Sequence, residues 1–358
     1  MSSIKTVGVV GTGLIGASWT ALFLAHGYRV LVADPGEGAE KKLKANVQSF
    51  WPTLEELGLA EGASIDNYEF VGSSLGKRSA EVDFVQESAP ERPDIKSKLL
   101  AELDNGTRSD VVIASSSSGI PSSQFIDQCQ HPERVLIGHP FNPPHLMPLV
   151  EIVPHPKTSQ TAIETARTFY ASIARRPIVV KQEIPGFVAN RLQAALLNEA
   201  YSLVSRGILS AEDLDAAVTT SLGPRWATVG PFMATAMGGG GGSNGFRHLL
   251  EHLGPAAQKW VDDMREHAFE LTTENIDSLT RSVDKELQGK DLKELEAERD
   301  AKLVELFKRK GKQQRMRQDR IRLGTQMCSL VRPSGAVFLG RSGWVQDQND
   351  SSKVVLLL

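Results

Sequence analysis

A glycine turn set between two apolar runs restricts the fold of this chain more than any other feature. Val7-Gly8-Val9-Val10 reads as a buried strand, and Gly11-Thr12-Gly13-Leu14-Ile15-Gly16 follows it at once. The segment from Leu14 to His26 has helical composition and stops at Gly27; a second strand, Val30-Leu31-Val32-Ala33, then ends in Asp34. Strand, glycine turn, helix and acid-terminated strand together make the βαβ unit of a dinucleotide-binding fold. In such a unit Gly11 permits the tight turn, Gly13 lets the backbone approach a pyrophosphate, and Gly16 lets helix pack closely on strand. The helix start at Leu14 and Ile15 offers free N–H groups and partial positive charge to phosphates. Asp34 accepts hydrogen bonds from ribose hydroxyls in this arrangement. Its charge repels a 2′-phosphate, and Pro35-Gly36 supplies no arginine to bind one, so NAD is expected rather than NADP.

Further apolar runs recur at the spacing of an α/β sheet, at 82–85, 111–114, 135–137, 149–153 and 178–180. Polar groups follow them: Gln86-Glu87-Ser88-Ala89-Pro90-Glu91, then Ser115 to Ser118, then His139 in GHPFNPP. In open α/β sheets the ligand sits outside the carboxyl ends of the strands, which is where these groups fall. Proline cannot continue a central strand, so the chain leaves the sheet at His139 on a stiff turn. Glu151 lies twelve residues on, inside the otherwise apolar LVEIV. A buried carboxylate is costly unless paired, and a strand-turn-strand of this length brings Glu151 back beside His139. The pair reads either as a catalytic dyad, with the carboxylate fixing the imidazole, or as a structural ion pair. The serine run reads as site or as linker.

Several separated motifs resemble the 3-hydroxyacyl-CoA dehydrogenase family over roughly residues 5 to 310: GTGLIG at 11–16, QESAPE at 86–91, SSSSG at 115–119, GHPFNPP at 138–144, LVEIV at 149–153 and GFVANRL at 186–192. Within it, NPPHLMPLVEIVPHP, NRLQAALLNEA and SLGPRWATVGPF resemble the branch that holds lambda-crystallin and L-gulonate 3-dehydrogenase, with bacterial carnitine dehydrogenases close by. The resemblance implies that His139 is a general base, that Glu151 orients it, that Ser118 bonds the substrate oxygen and that Asn190 positions substrate. It implies that Glu87 and Lys96 stand near the cofactor. Many acyl-CoA members read SNTS where this chain reads SSSS, so Ser116 replaces an asparagine and Ser117 competes with Ser118 for the assignment. Arg225 is a candidate for the substrate carboxylate, or a surface arginine.

The fold class expected is α/β: a Rossmann-like doubly wound sheet over residues 1–184, an all-α substrate and dimerisation domain over 185–311, and a disordered or atypical tail over 312–358. The second domain is implied by the resemblance, which also implies a homodimer. Ser210-Ala211-Glu212-Asp213 reads as a capped helix start, and Gly238 to Gly242 as a flexible connection or backbone near a ligand. His248, Glu251 and His252 share a helix face but lack metal-site order, and no metal is expected. A net charge of -3 gives no broad basic excess, and no apolar run spans a bilayer, so neither nucleic acid nor membrane is an expected partner. Cys129 and Cys328 are far apart, which together with the lack of a leader pattern fits the cytoplasm. Three functions are open: a dehydrogenase of a small L-3-hydroxy acid such as L-gulonate, a dehydrogenase of short L-3-hydroxyacyl-CoA or of L-carnitine, and a non-catalytic crystallin-like protein.

Overall fold

The computed structural model describes residues 4–239 and 244–309. The chain divides into two compact units, Met1–Glu305 and Leu306–Leu358. Most of the glycine run, and the tail expected from residue 312, lie outside the described residues.

Residues 4–180 build one sheet of eight strands: β1 (Thr6–Val10), β2 (Arg29–Ala33), β3 (Tyr68–Phe70), β4 (Phe84–Glu87), β5 (Val112–Ser115), β6 (Val135–Pro140), β7 (Leu149–Val153) and β8 (Arg176–Val179). Their order is β3-β2-β1-β4-β5-β6-β7-β8. The first six run parallel, and β7 turns back antiparallel to β6. Successive strand residues point to opposite faces. Thus Val30 and Val32 join one core with Trp19 and Phe23, while Leu31 and Ala33 join the other with Leu100 and Leu103. The first core is roofed by α1 (Leu14–Ala25), α2 (Ala39–Leu57) and α4 (Gln160–Ser172), the second by α3 (Pro93–Gly106). Both faces are covered, as a parallel sheet requires. Strand order reverses between β1 and β4, which opens a crevice above their carboxyl ends.

Beyond residue 188 the described structure is helical: α5 (Ala189–Ser205), α6 (Ala211–Ala217), α7 (Gly223–Val229), α8 (Pro231–Gly238), α9 (Gly245–Glu266) and α10 (Thr273–Leu287). Ser210 caps α6, accepting from the Asp213 N–H at 3.0 Å. These helices bury little of their apolar surface. Phe232 on α8 is 75% exposed and Trp260 on α9 64%. The architecture is a Rossmann-like α/β domain followed by a helical C-terminal domain. No described helix is long and apolar enough to cross a membrane.

Candidate active site

The glycine turn is packed as its sequence requires. Gly11 has φ of 98°, and a Cβ there would lie 2.5 Å from the Ser88 carbonyl oxygen. A Cβ on Gly16 would stand 1.9 Å from the Gly11 oxygen, whereas one on Gly13 would meet nothing within 4 Å. Gly11 and Gly16 are therefore closed by protein, and Gly13 faces the open side where a pyrophosphate would be cradled. No acidic residue occupies the first turn of α1, so its partial positive charge is unopposed. Leu14 is exposed there, and Ile15 reaches into the neighbouring cleft. Asp34 Oδ2 accepts from the Thr12 N–H at 2.6 Å and its hydroxyl at 2.8 Å, and Oδ1 accepts from the Gly36 N–H at 2.7 Å. Burial would raise the Asp34 carboxyl, but these donors outweigh it and hold the group below the ordinary carboxylate range. The acid is ionised and tied to the glycine turn, as a ribose-binding carboxylate needs to be.

His139 and Glu151 stand directly opposite each other in the β6–β7 register, with Nδ1 and Oε2 2.8 Å apart. Glu151 is 0% exposed and His139 4%. The second carboxylate oxygen accepts from the backbone N–H groups of Val188 at 2.9 Å and Ala189 at 3.1 Å, at the start of α5. Burial pushes the Glu151 carboxyl up, but the His139 ring and the two amides more than reverse it, so it stays ionised. An ionised Glu151 accepts a proton bond from Nδ1–H, which leaves Nε2 as the free ring nitrogen. Phe141 and Phe187 flank the ring, with centroids 6.0 and 5.6 Å away.

A cavity of about 360 Å³ opens over this pair, lined by Ile15, Ser116, Ser118, His139, Phe141 and Asn190 among others. Asn190 Nδ2 donates to the Ser118 carbonyl at 2.7 Å, which ties α5 to the serine loop. Ser118 is exposed to the cavity, while Ser117 is buried with its hydroxyl turned to Glu91.

Glu91 is a residue that sequence reasoning did not single out. Its Oε1 accepts from the Ser117 hydroxyl at 2.6 Å, the Ser118 N–H at 2.9 Å and the Gly119 N–H at 3.2 Å. It is a partly exposed acid in a polar loop, so only its place in QESAPE could have drawn notice. Glu87 and Lys96 do not open to the cleft. They form a fully buried ion pair at 2.9 Å, and Lys96 also donates to the Ala89 carbonyl. Ser115 donates to the other Glu87 oxygen. The pair therefore anchors the β4–α3 loop from beneath. Arg225 is exposed on α7 and does not line the cavity. Among the described residues no His, Cys, Asp and Glu group could hold a metal ion.

The model of the 3-hydroxyacyl-CoA dehydrogenase NAD-binding domain matches residues 6–184, and that of the 3-hydroxyacyl-CoA dehydrogenase C-terminal domain matches residues 186–281. The chain belongs to the 3-hydroxyacyl-CoA dehydrogenase family. It is 52% identical, over 93% of its length and 98% of the relative's, to a 3-hydroxyacyl-CoA dehydrogenase of Gibberella moniliformis. It is 43% identical to the L-carnitine dehydrogenase of Streptomyces coelicolor, over 87% of this chain and 96% of that one. Among solved structures it resembles 5-formyl-3-hydroxy-2-methylpyridine 4-carboxylic acid 5-dehydrogenase, an NAD-dependent dismutase. The TM-score there is 0.67 at 27% identity, covering 85% of this chain and 97% of the other. As a member of the 3-hydroxyacyl-CoA dehydrogenase family it is an NAD-dependent dehydrogenase acting on CH–OH donors.

Proposed function

We propose that the chain oxidises the 3-hydroxyl of a small, polar L-3-hydroxy acid to the 3-keto acid, with His139 as the base. The hydrogen bond between His139 Nδ1 and Glu151 Oε2, beneath the cavity that Ser118 and Asn190 line, carries this reading. The substrate hydroxyl binds between Ser118 and His139 Nε2. His139 takes its proton as the C–H bond breaks, and Glu151 stabilises the imidazolium that forms. Bound NAD supplies the hydride acceptor, held by the glycine turn and Asp34. Asn190 fixes the serine loop and so the height of Ser118 above the imidazole.

The cavity, of about 360 Å³, lies at the small end of ligand pockets, which favours a free acid of the L-gulonate kind. A second reading, oxidation of a short L-3-hydroxyacyl-CoA or of L-carnitine, is favoured by the 52% identity to the Gibberella moniliformis 3-hydroxyacyl-CoA dehydrogenase and the 43% identity to the Streptomyces coelicolor L-carnitine dehydrogenase. Following NADH production from L-gulonate, L-carnitine, L-3-hydroxybutyrate and 3-hydroxybutyryl-CoA decides between them. Far more efficient turnover of the thioester or of L-carnitine than of the other acids would overturn the first reading.

The enzyme is a homodimer in this account. Phe232, Met233 and Met237 on α8, with Leu250, Leu253 and Trp260 on α9, leave apolar surface in water that a second copy would cover. A light-scattering mass of two chains is the expected result, and a monomeric mass at micromolar concentration would contradict it.

A further inference from the structure

A buried chain of hydrogen bonds runs from α4 to the wall of the active-site cavity. Tyr170, fully buried, donates to Gln86 Oε1 at 2.6 Å. Gln86 Nε2 donates to the Gly138 carbonyl at 3.3 Å and to Ser116 Oγ at 2.8 Å. Ser116 Oγ is in turn 2.9 Å from Ser88 Oγ. Gly138, the residue before His139, has to be glycine here, since a Cβ would stand 2.0 Å from the Tyr170 oxygen.

The direction of each bond follows from donor counting. A carbonyl only accepts, so the Gln86 atom facing Gly138 is its NH2 group. The Gln86 oxygen therefore faces Tyr170, which has to donate. The second Gln86 N–H points at Ser116 Oγ, which has to accept. Ser116 and Ser88 then hold two hydroxyl protons and share one hydrogen bond. Among the described residues no acceptor is present for the other proton. Ser116 lines the same cavity as His139 and Ser118.

We propose that Ser116 is a ligand-positioning residue: the Ser88–Ser116 hydroxyl couple, oriented by Gln86 and Tyr170, donates a hydrogen bond to a carbonyl-type or carboxylate oxygen of the group bound beside His139. The acceptor is either a substrate carboxylate or the carboxamide oxygen of the nicotinamide, because both present the same sp² oxygen to a hydroxyl donor. Donation by Gln86 into Ser116 Oγ polarises the hydroxyl and strengthens the bond it gives. Fixing the couple in advance also spares the ligand the cost of ordering it. The inference rests on the dehydrogenase reading above.

The test compares Ser116→Ala and Ser116→Thr in the full chain, using whichever of the four substrates is turned over. Losing one oriented donor should weaken the affected binding step about tenfold. A rise in substrate KM with unchanged NAD affinity assigns the acceptor to the substrate. Weaker NAD binding, read by fluorescence titration, with unchanged substrate KM assigns it to the nicotinamide. Ser116→Thr keeps the hydroxyl and should restore the affected constant. Tyr170→Phe leaves Ser116 in place but removes the bond that holds the Gln86 oxygen and so loosens Gln86; it should move the same constant in the same direction, by a smaller factor. It carries the test if Ser116→Ala fails to fold. Ser116→Ala protein with normal melting temperature and with both constants unchanged would overturn the proposal. Failure of the dehydrogenase reading is recognisable separately, as absence of NADH production from all four substrates in the unmodified protein.

Discussion

Glu151 and His139 face each other across the β6–β7 ladder at 2.8 Å, and the same carboxylate caps the start of α5. Three N–H donors thus converge on one acid: the imidazole and the amides of Val188 and Ala189. Only a group with acceptors alone can serve all three. An amide in its place would aim an NH2 either at the helix start or at the imidazole.

Glu151→Gln should therefore cost both stability and rate. One donor is left unpaired, worth about 1–3 kcal/mol when buried. If the NH2 faces His139, the ring tautomer inverts and Nε2 no longer accepts a proton, so turnover should fall by roughly two orders of magnitude or more. The acid dependence also changes. The folded-state pKa of Glu151 is depressed, so its contribution to stability is present above 4.5 and is lost as pH falls through the lower folded value. Melting temperature against pH should lose that acid component in the variant. An unchanged curve would contradict the pairing.

Asp34 governs cofactor choice. One repulsive charge near a 2′-phosphate is worth on the order of 1 kcal/mol or more, so NAD should bind at least about tenfold better than NADP. Asp34→Asn should narrow that ratio. Fluorescence titration of both cofactors checks it, and equal affinities in the unmodified protein would refute the assignment.

Glu91 should matter to the serine loop although it touches no proposed substrate atom. Glu91→Leu keeps the size but removes the oxygen that accepts all three donors. An expected drop of about tenfold in kcat/KM, with NAD affinity retained, would reflect a displaced Ser118. Unaltered kcat/KM would show that Asn190 alone holds the loop.

His145 should set the behaviour at mild acid. Its Nδ1 is hydrogen-bonded to the Ser18 hydroxyl at 2.8 Å, and Phe50 stacks on its ring. Burial lowers its pKa from 6.5 to about 4; Asp300 opposes this and Arg175 assists it. A depressed histidine is neutral when folded, so its contribution is whole above pH 6.5 and is lost as pH falls from 6.5 towards 4. The loss totals roughly 3 kcal/mol. In His145→Gln this stretch of the stability curve should flatten. A curve of the same steepness would place the acid sensitivity elsewhere.

Much of this was legible in the sequence because it depends on short-range pattern. The βαβ unit follows from adjacent residues, and the His139–Glu151 pair follows from two strands joined by a short turn, whose register places residues twelve apart opposite one another. What was hidden depends on packing between distant segments. Gln86 reads as an ordinary polar residue until Tyr170, 84 positions away, is laid against it. Glu87 and Lys96 look like cleft groups until their burial as an ion pair is known. Arg225 suited either a carboxylate or the surface, and on α7 it is exposed and does not line the cavity. A charge in a sequence does not say which side of a helix it will occupy.

The central claim is that His139 takes the substrate proton, and His139→Ala measures it most directly. Turnover on the best substrate should fall by roughly two to four orders of magnitude, the scale of a positioned acid–base group. NAD affinity should be unchanged, because the substitution leaves the glycine turn and Asp34, which would hold the cofactor, in place. Folded His139→Ala protein that turns over at a near-normal rate would contradict the account.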